Sequence, residues 1–205
     1  MSAKTGRSAP AASLAATPRR RRTPDEARAE ILAAAREVLA AGNGGPLSVA
    51  EVMSRTTLTR KAFYVHFDDL ADLLLQLLLP LRADADAALA DWAAADDFAA
   101  AGRAALEQAA QTYRTHGALL RAVFWSGGAD PAIARVRRGL SERIRAAALE
   151  ATHRAQPPLA DPERTAAALA AMNVHLLIER APDADDRELV ALVDTLAEVW
   201  TRVLG

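Results

Sequence analysis

The sequence contains no cysteine and no apolar run long enough to cross a membrane. The first absence excludes a disulfide framework and a thiolate metal site, and it fits a reducing cytosol. A spanning helix needs roughly 20 apolar residues, whereas the longest run, LLLQLLLPL from Leu73, is interrupted by Gln76 and Pro80. Residues 1–22 are small, polar and finally basic, without the apolar core of a signal peptide. We therefore expect a cytoplasmic protein without membrane contact.

Aromatic and β-branched residues are scarce, and proline and glycine are sparse outside a few clusters. Aromatics make up 4% of the 205 residues, and the chain has 10 Pro and 10 Gly. Alanine is abundant instead, which favours helices over strands. We find neither strand-like alternation nor an internal repeat, while 51% apolar and 25% charged residues are typical of a packed globular protein. The sequence therefore predicts an all-α fold.

The net charge of −1 hides an uneven distribution of charge along the chain. Residues 1–67 contain 11 Lys or Arg against 5 Asp or Glu, whereas residues 68–205 contain 14 against 21. A basic front suggests that the first third binds a polyanion. Residues 1–22 are predicted to form a disordered arm, either a solubilising tail or an electrostatic arm for phosphates or a minor groove. Its candidate contacts are Arg19, Arg20, Arg21 and Arg22.

Three short helices are predicted between residues 23 and 69. The first begins with Thr23 as N-cap and Pro24 at the first helical position, and the GNGGP segment at 42–46 ends it. Ser48 caps the second helix, with Glu51 as its capping-box partner. After a tight turn, Thr59 can cap a third helix that runs through Phe67. A close pair of short helices of this kind is typical of a helix-turn-helix.

The third helix has an unusual outward surface. Phe63 and Phe67 fall on its inner side, whereas the outer and flanking sides bear Arg60, Lys61, Tyr64 and His66. Arg60 or Lys61 could donate to guanine O6 and N7 in a major groove. Phosphates could bind the polar groups of Thr59, Tyr64, His66 and, at the start of the second helix, Ser48. The alternative is an ordinary amphipathic helix with a solvated face.

The stretch LSVAEVMSRTTLTRKAFYVHF and the leucine-rich helix after it resemble the DNA-binding domain of the tetracycline-repressor (TetR) family. The segment AFYVHF keeps the Tyr64, His66 and Phe67 of the family's recognition helix, with Phe63 in place of leucine. This resemblance covers about residues 24–79. It implies that the first three helices bind DNA and that the remaining helices form a ligand-receiving domain.

Three positions depart from the family pattern. Thr57 stands where a turn glycine is usual, and a threonine at positive φ would be strained. Ala62 replaces a threonine that contacts phosphate. The residues DDL at 68–70 replace a polar-then-lysine start to the fourth helix, so one phosphate contact of the family is absent.

Residues 70–205 are predicted to form a second helical domain. Its first helix has a broad leucine stripe and should kink or break at Pro80 before it resumes toward Trp92. Further helices are predicted over 98–115, 118–125, 131–153, 162–180 and 186–203. The segments ALAAMNVHLLIER and DTLAEVWTRVLG are similar to the last two helices of the ethionamide-resistance-regulator subgroup. This similarity implies a homodimer that pairs through residues 162–203.

The large and polar-tipped residues of the second domain are candidates for a ligand pocket, because such pockets are mainly apolar with a few polar groups. Core packing is the alternative role for each of them. The candidates are Trp92, Phe98, Tyr113, Phe124, Trp125, Met172, Asn173 and Trp200. The subgroup resemblance favours Asn173 and Trp200 among them.

No pattern in the sequence indicates catalysis or a cofactor. His175 and Glu179 are four apart on one helix and could share a metal, but a hydrogen-bonded pair is the favoured interpretation, so no metal site is predicted. We find no phosphate loop or nucleophile elbow. The resemblance implies a ligand-responsive repressor that binds a palindromic operator and is released by a small apolar effector. The alternatives are an activator on the same fold and a helical small-molecule binder or enzyme that does not bind DNA.

Overall fold

The computed structural model describes residues 23–41, 47–125 and 131–205. The arm at residues 1–22, with its four candidate arginines, lies outside the described residues. Within them every regular element is a helix and no strand occurs, which confirms the all-α class. The elements are α1 (Pro24–Ala41), α2 (Val49–Ser54), α3 (Arg60–His66), α4 (Leu70–Ala94), α5 (Phe98–Phe124), α6 (Pro131–Thr152), α7 (Pro162–Arg180), a 3₁₀ turn (Ala181–Asp183) and α8 (Asp186–Leu204).

Most helices begin at a side chain that accepts a hydrogen bond from the free backbone N–H groups of the first turn. Thr23 and Glu26 do so reciprocally before α1, with N–O distances of 2.8 and 3.2 Å. The Ser48 hydroxyl accepts from the Glu51 amide before α2. Asp161 caps α7 in the same way. These short-range contacts fix the helix starts that the sequence predicts. Thr59 occupies the N-cap position of α3 but forms no side-chain cap bond.

The long helices α4 and α5 are both more continuous than the sequence predicts. Of the kink or break expected at Pro80, the break does not occur, because α4 continues through Pro80 to Ala94. Pro80 itself is exposed. The two helices predicted over 98–115 and 118–125 form one element, interrupted only by His116 at φ −119° and ψ 19°.

One continuous core joins the first three helices to the rest of the described chain. Ile31 of α1 and Phe63 of α3 are fully buried in the same cluster as Leu74 of α4 and Leu196 of α8. Helix α4 leads from this first part to α5 and α6, and α1 also packs on α5. Helices α7 and α8 pack in turn on α5 and α6. A shift of α4 or α5 would therefore reach α3 through packed side chains.

Gly117 marks the closest approach between α5 and the 3₁₀ turn. A Cβ atom at this position would lie 2.4 Å from Cγ of Pro182. We expect Gly117→Ala to destabilise the protein by about 1–3 kcal/mol, since one of the two backbones must shift. Gly139→Ala in α6 is the matched control, because a Cβ there meets nothing within 4 Å. That change should be neutral or stabilising by about 0.5–1 kcal/mol. Thermal unfolding of both variants checks the contrast, and equal melting temperatures would contradict it.

Candidate functional site

The turn between α2 and α3 is fixed by side chains rather than by a glycine. The amide and hydroxyl of Thr57 both donate to Oε1 of Glu30 in α1, at 2.8 and 3.1 Å. The Thr56 hydroxyl donates to the Met53 carbonyl and accepts from the Leu58 amide. No described residue other than glycine has a positive φ. The turn therefore accommodates Thr57 without strain, and it is tied to α1.

Helix α3 has a buried aromatic side and an exposed polar side. Phe63 and Phe67 are buried, with ring centroids 5.4 Å apart. The Arg28 guanidinium of α1 lies 5.4 Å from the Phe67 ring centre, a cation–π contact that helps to hold the end of α3. The predicted contact residues on the other side are exposed, except for the partly buried His66: Thr59, Arg60, Lys61 and Tyr64.

Val65 also belongs to the exposed side of α3, although it is not among the contact residues predicted from the sequence. With 73% of its surface exposed, it is the most exposed large hydrophobic residue in the described chain. It lies next to Tyr64, which is itself 54% exposed. Its position in the sequence could have indicated this exposure, because Arg60, Lys61, Tyr64 and Val65 recur at helical spacing on one face. Val65 therefore adds an apolar contact to a face that is otherwise polar and basic.

The acidic residues between α3 and α4 serve the helix start. Oδ1 of Asp69 accepts from the Asp72 amide at 2.8 Å, and Oδ2 of Asp72 accepts from the Asp68 amide at 3.3 Å. Carboxylates at a helix N-terminus are stabilised by the free N–H groups and the helix dipole. Asp69 and Asp72 therefore stabilise the start of α4. Ser48, at the start of α2, is also exposed.

A cavity of about 410 Å³ lies among the last five helices. Apolar side chains of α4, α5 and α6, such as Leu78, Leu106 and Ile144, form much of its wall. Six of the eight predicted pocket residues line it: Trp92, Phe98, Tyr113, Phe124, Asn173 and Trp200. Its volume lies within the range of roughly 300–1,000 Å³ that is usual for small-molecule sites.

The remaining two predicted pocket residues do not line the cavity. Trp125 is 47% exposed at the end of α5, and its ring centroid lies 6.1 Å from that of His175 on α7. Met172 is partly buried and packs against the core. Met172 lies on α7 and Trp125 directly follows α5, and both helices border the cavity. Only the rotation and packing of each helix decide which of its side chains face the cavity.

An aromatic cluster forms part of the cavity wall. Trp92 stacks on Phe98 with centroids 4.8 Å apart and meets Trp200 edge to face at 5.5 Å. The Trp92 indole N–H donates to the Phe98 carbonyl at 3.0 Å. A Cβ on residue 102 would lie 2.8 Å from the Trp92 indole nitrogen, so Gly102 makes room for this ring. The cluster is thus held by hydrogen bonds as well as by packing.

Polar groups reach the cavity wall at a few points. The Trp200 indole donates to Oδ1 of Asn173 at 3.2 Å, which leaves the Asn173 amide nitrogen as a donor. Tyr113 is buried, and burial raises the pKa of its hydroxyl. That hydroxyl therefore stays neutral and able to donate at physiological pH. Apolar walls with a few polar groups are what a small-molecule site requires.

Removing the hydrogen bond between Trp200 and Asn173 tests how much this bond stabilises the native state. Asn173→Leu should destabilise the protein by about 1–3 kcal/mol, because it leaves the buried indole N–H without an acceptor. Adding Trp200→Phe, which removes the donor, should recover part of that loss. Chemical unfolding of both single variants and the double variant measures the coupling. Additive losses would show that the bond does not stabilise the native state.

His175 and Glu179 form an exposed pair on α7, with Nε2 and Oε2 3.3 Å apart. No group of three or more potential metal-ligating side chains occurs among the described residues. None of the described helices is both long and apolar enough to span a membrane. No protein-family model and no curated protein matches the chain. The α3 face and the cavity are therefore the two candidate functional surfaces of the described chain.

Proposed function

We propose that the protein is a ligand-responsive, DNA-binding transcriptional regulator of TetR type, acting as a repressor. The observation that supports this most is the exposed face of α3. It presents two cations and a tyrosine without any acidic side chain between Arg60 and His66. A helix of this kind fits a major groove, where Arg or Lys can donate to guanine and an apolar group can meet a thymine methyl.

Each exposed residue of α3 then has a role that its chemistry supports. Arg60 and Lys61 donate to base edges or phosphates, and Tyr64 donates its hydroxyl to a phosphate. Val65 contacts a thymine methyl group. Thr59 has a hydroxyl that no cap bond occupies, so it is available to a phosphate. The exposed hydroxyl and first-turn amides of Ser48 in α2 supply a further phosphate contact.

The second part of the proposal is that the cavity receives a small, mainly apolar effector. The cavity borders α4, the helix whose first half shares a core with α3. An effector acts on DNA binding only by favouring one arrangement of these helices over another. Binding in the cavity would bias the position of α4 and thereby the position of α3.

The third part is a homodimer formed by α7 and α8. Helix α7 exposes a row of small residues: Ala167, Ala168 and Ala171. On α8, Val190 is 56% exposed, and Leu192, Val199 and Val203 are only partly buried. The exposed Trp125 lies against α7 as well. Small residues allow two helices to approach closely, so a second copy can cover this surface. The dimer would present two α3 helices to a palindrome, about 34 Å apart.

Selection of bound sites from random duplex DNA with the purified full-length protein tests this function. We expect enrichment of a palindrome whose half-sites are about one helical turn apart, with affinity that falls steeply as salt rises. A screen of small molecules by thermal shift should then find effectors that release the selected DNA. If no sequence is enriched while small molecules still bind, the protein is a helical small-molecule binder. Reporter expression from the selected site separates a repressor from an activator.

A further inference from the structure

Arg82 has no partner for a buried hydrogen-bond donor. Its Nε atom is the single buried side-chain nitrogen or oxygen in the described chain that lacks a hydrogen-bond partner. The side chain lines the cavity and also the adjacent cleft between α4 and α6. An unsatisfied donor on a charged group costs more than one on a neutral group. A ligand that supplies an acceptor would remove that cost.

The acid one turn further along the helix does not neutralise Arg82. Asp86 is one turn further along α4, where an Arg and an Asp commonly pair. Its carboxylate instead forms an ion pair with Arg143 of α6. Arg82 has no ion pair within the described chain. The guanidinium therefore stands at the cavity wall with its charge uncompensated by a direct contact.

The cleft that Arg82 shares with α6 also holds other charged residues. Apart from Arg82 they are two arginines, Arg135 and Arg143, and three acids, Asp68, Asp69 and Asp72. Asp69 and Asp72 accept hydrogen bonds from backbone amides at the start of α4. None of the three acids forms an ion pair with Arg82 within the described chain, so the Arg82 guanidinium has no direct partner on this side either.

The charged residues that line the cavity are mostly cations. The described lining contains four arginines, Arg82, Arg103, Arg143 and Arg154, and a single acid, Asp86. Arg103 and Arg154 pair with acids outside the lining. Arg82 is the lining arginine left without an acid partner in the described chain. The surplus of positive charge at the cavity wall favours an anion over a neutral or cationic group.

Most of the residues that line the cavity are apolar. They include Leu81, Leu89 and Ile144 and the aromatic cluster of Trp92, Phe98 and Trp200. Trp92 lies ten positions after Arg82 on α4, which is about 15 Å along the helix axis. A ligand that reaches both Arg82 and Trp92 therefore needs a charged head and an extended apolar body.

We propose that the cavity binds an amphipathic carboxylate, whose head contacts Arg82 and whose unbranched apolar tail reaches the aromatic cluster. A guanidinium offers a planar fork of N–H donors, including Nε–H, that matches a carboxylate. This inference rests on the ligand-responsive function proposed above, and it defines the class of effector. It also places the head on the part of α4 that leads toward α3.

Three probes with the same tail and different head charge test the inference. They are dodecanoate, dodecanol and dodecyltrimethylammonium, used with the full-length protein, the two ionic probes below their micelle concentrations and dodecanol below its solubility limit. Binding is followed by calorimetry and by tryptophan fluorescence, because Trp92 and Trp200 line the cavity. We expect dodecanoate to bind at least about tenfold more tightly than dodecanol. The cation should bind most weakly.

Variants at Arg82 identify the group that gives this preference. Arg82→Gln should lower dodecanoate affinity about tenfold to a hundredfold and leave dodecanol affinity unchanged. Arg82→Lys keeps the charge without the fork and should be intermediate. Arg145→Gln, at an arginine that pairs with Glu142 and does not line the cavity, is the matched control. Circular dichroism confirms folding, and Arg82 has no bond whose loss would lower stability.

The outcomes separate this inference from the proposed function. Dodecanoate and dodecanol that bind equally, or a preference that persists in Arg82→Gln, would overturn the carboxylate site and leave an apolar effector cavity. Tighter binding of the cation would overturn it too. If no probe binds, both the carboxylate site and the effector cavity are wrong, while selection of a DNA sequence still tests the α3 face. Should Arg82→Gln not fold, the three probes on the unaltered protein still decide.

Discussion

Replacing Lys61 or Tyr64 with alanine is expected to lower affinity for the selected DNA by at least about a hundredfold. A good contact to DNA contributes roughly 1–3 kcal/mol, and a dimer loses the contact in both half-sites. Both side chains are exposed in α3, so the unfolding free energy should change by no more than about 0.5 kcal/mol. Fluorescence anisotropy with a labelled duplex measures the loss.

The two variants should differ in how binding depends on salt. Lys61→Ala removes a cation from each half-site and should make the decrease in affinity with salt less steep by about one unit per lost phosphate contact. Tyr64→Ala removes no charge and should keep the slope. Arg145→Ala is the control, since it removes a cation on α6 that pairs with Glu142. Unchanged affinity in both α3 variants would refute the assignment of this face to DNA.

Placing a glutamate at Ala171 or Ala168 is expected to convert the dimer into a monomer. Both alanines are exposed on α7 and lie one turn apart, so a glutamate costs nothing in an isolated chain. In the proposed interface it would bury a charge without a partner, at a cost of several kcal/mol. Sedimentation at micromolar concentration measures the mass. Operator affinity should fall by more than about a hundredfold, since one α3 helix contacts only one half-site.

Ala90→Glu provides the matched control for this prediction. Ala90 is exposed on α4 and does not line the cavity, so the same substitution there should leave the dimer and its DNA affinity intact. Circular dichroism of all three variants confirms that the helices persist. A monomeric parent protein, or dimers that survive both α7 substitutions, would refute the interface on α7 and α8.

Short-range patterns determined much of this protein directly from the sequence. Helix starts at Thr23, Ser48 and Asp161 depend on bonds to residues only three positions away. Apolar spacing placed Phe63 and Phe67 inside and left Arg60 and Lys61 outside, because a helix repeats every 3.6 residues. The all-α class and the exposed α3 face follow from these local rules. What the face binds remains a proposal.

Tertiary structure alone decided the features that depend on distant residues. Thr57 fits the turn because Glu30, which is 27 positions away, accepts its hydrogen bonds. Helix rotation brought Trp92, Phe98 and Trp200 to one cavity and turned Trp125 outward. Arg82 lacks a partner because Asp86 pairs across helices with Arg143. Such outcomes depend on how whole helices pack, and periodicity along one helix does not specify which neighbour each side will meet.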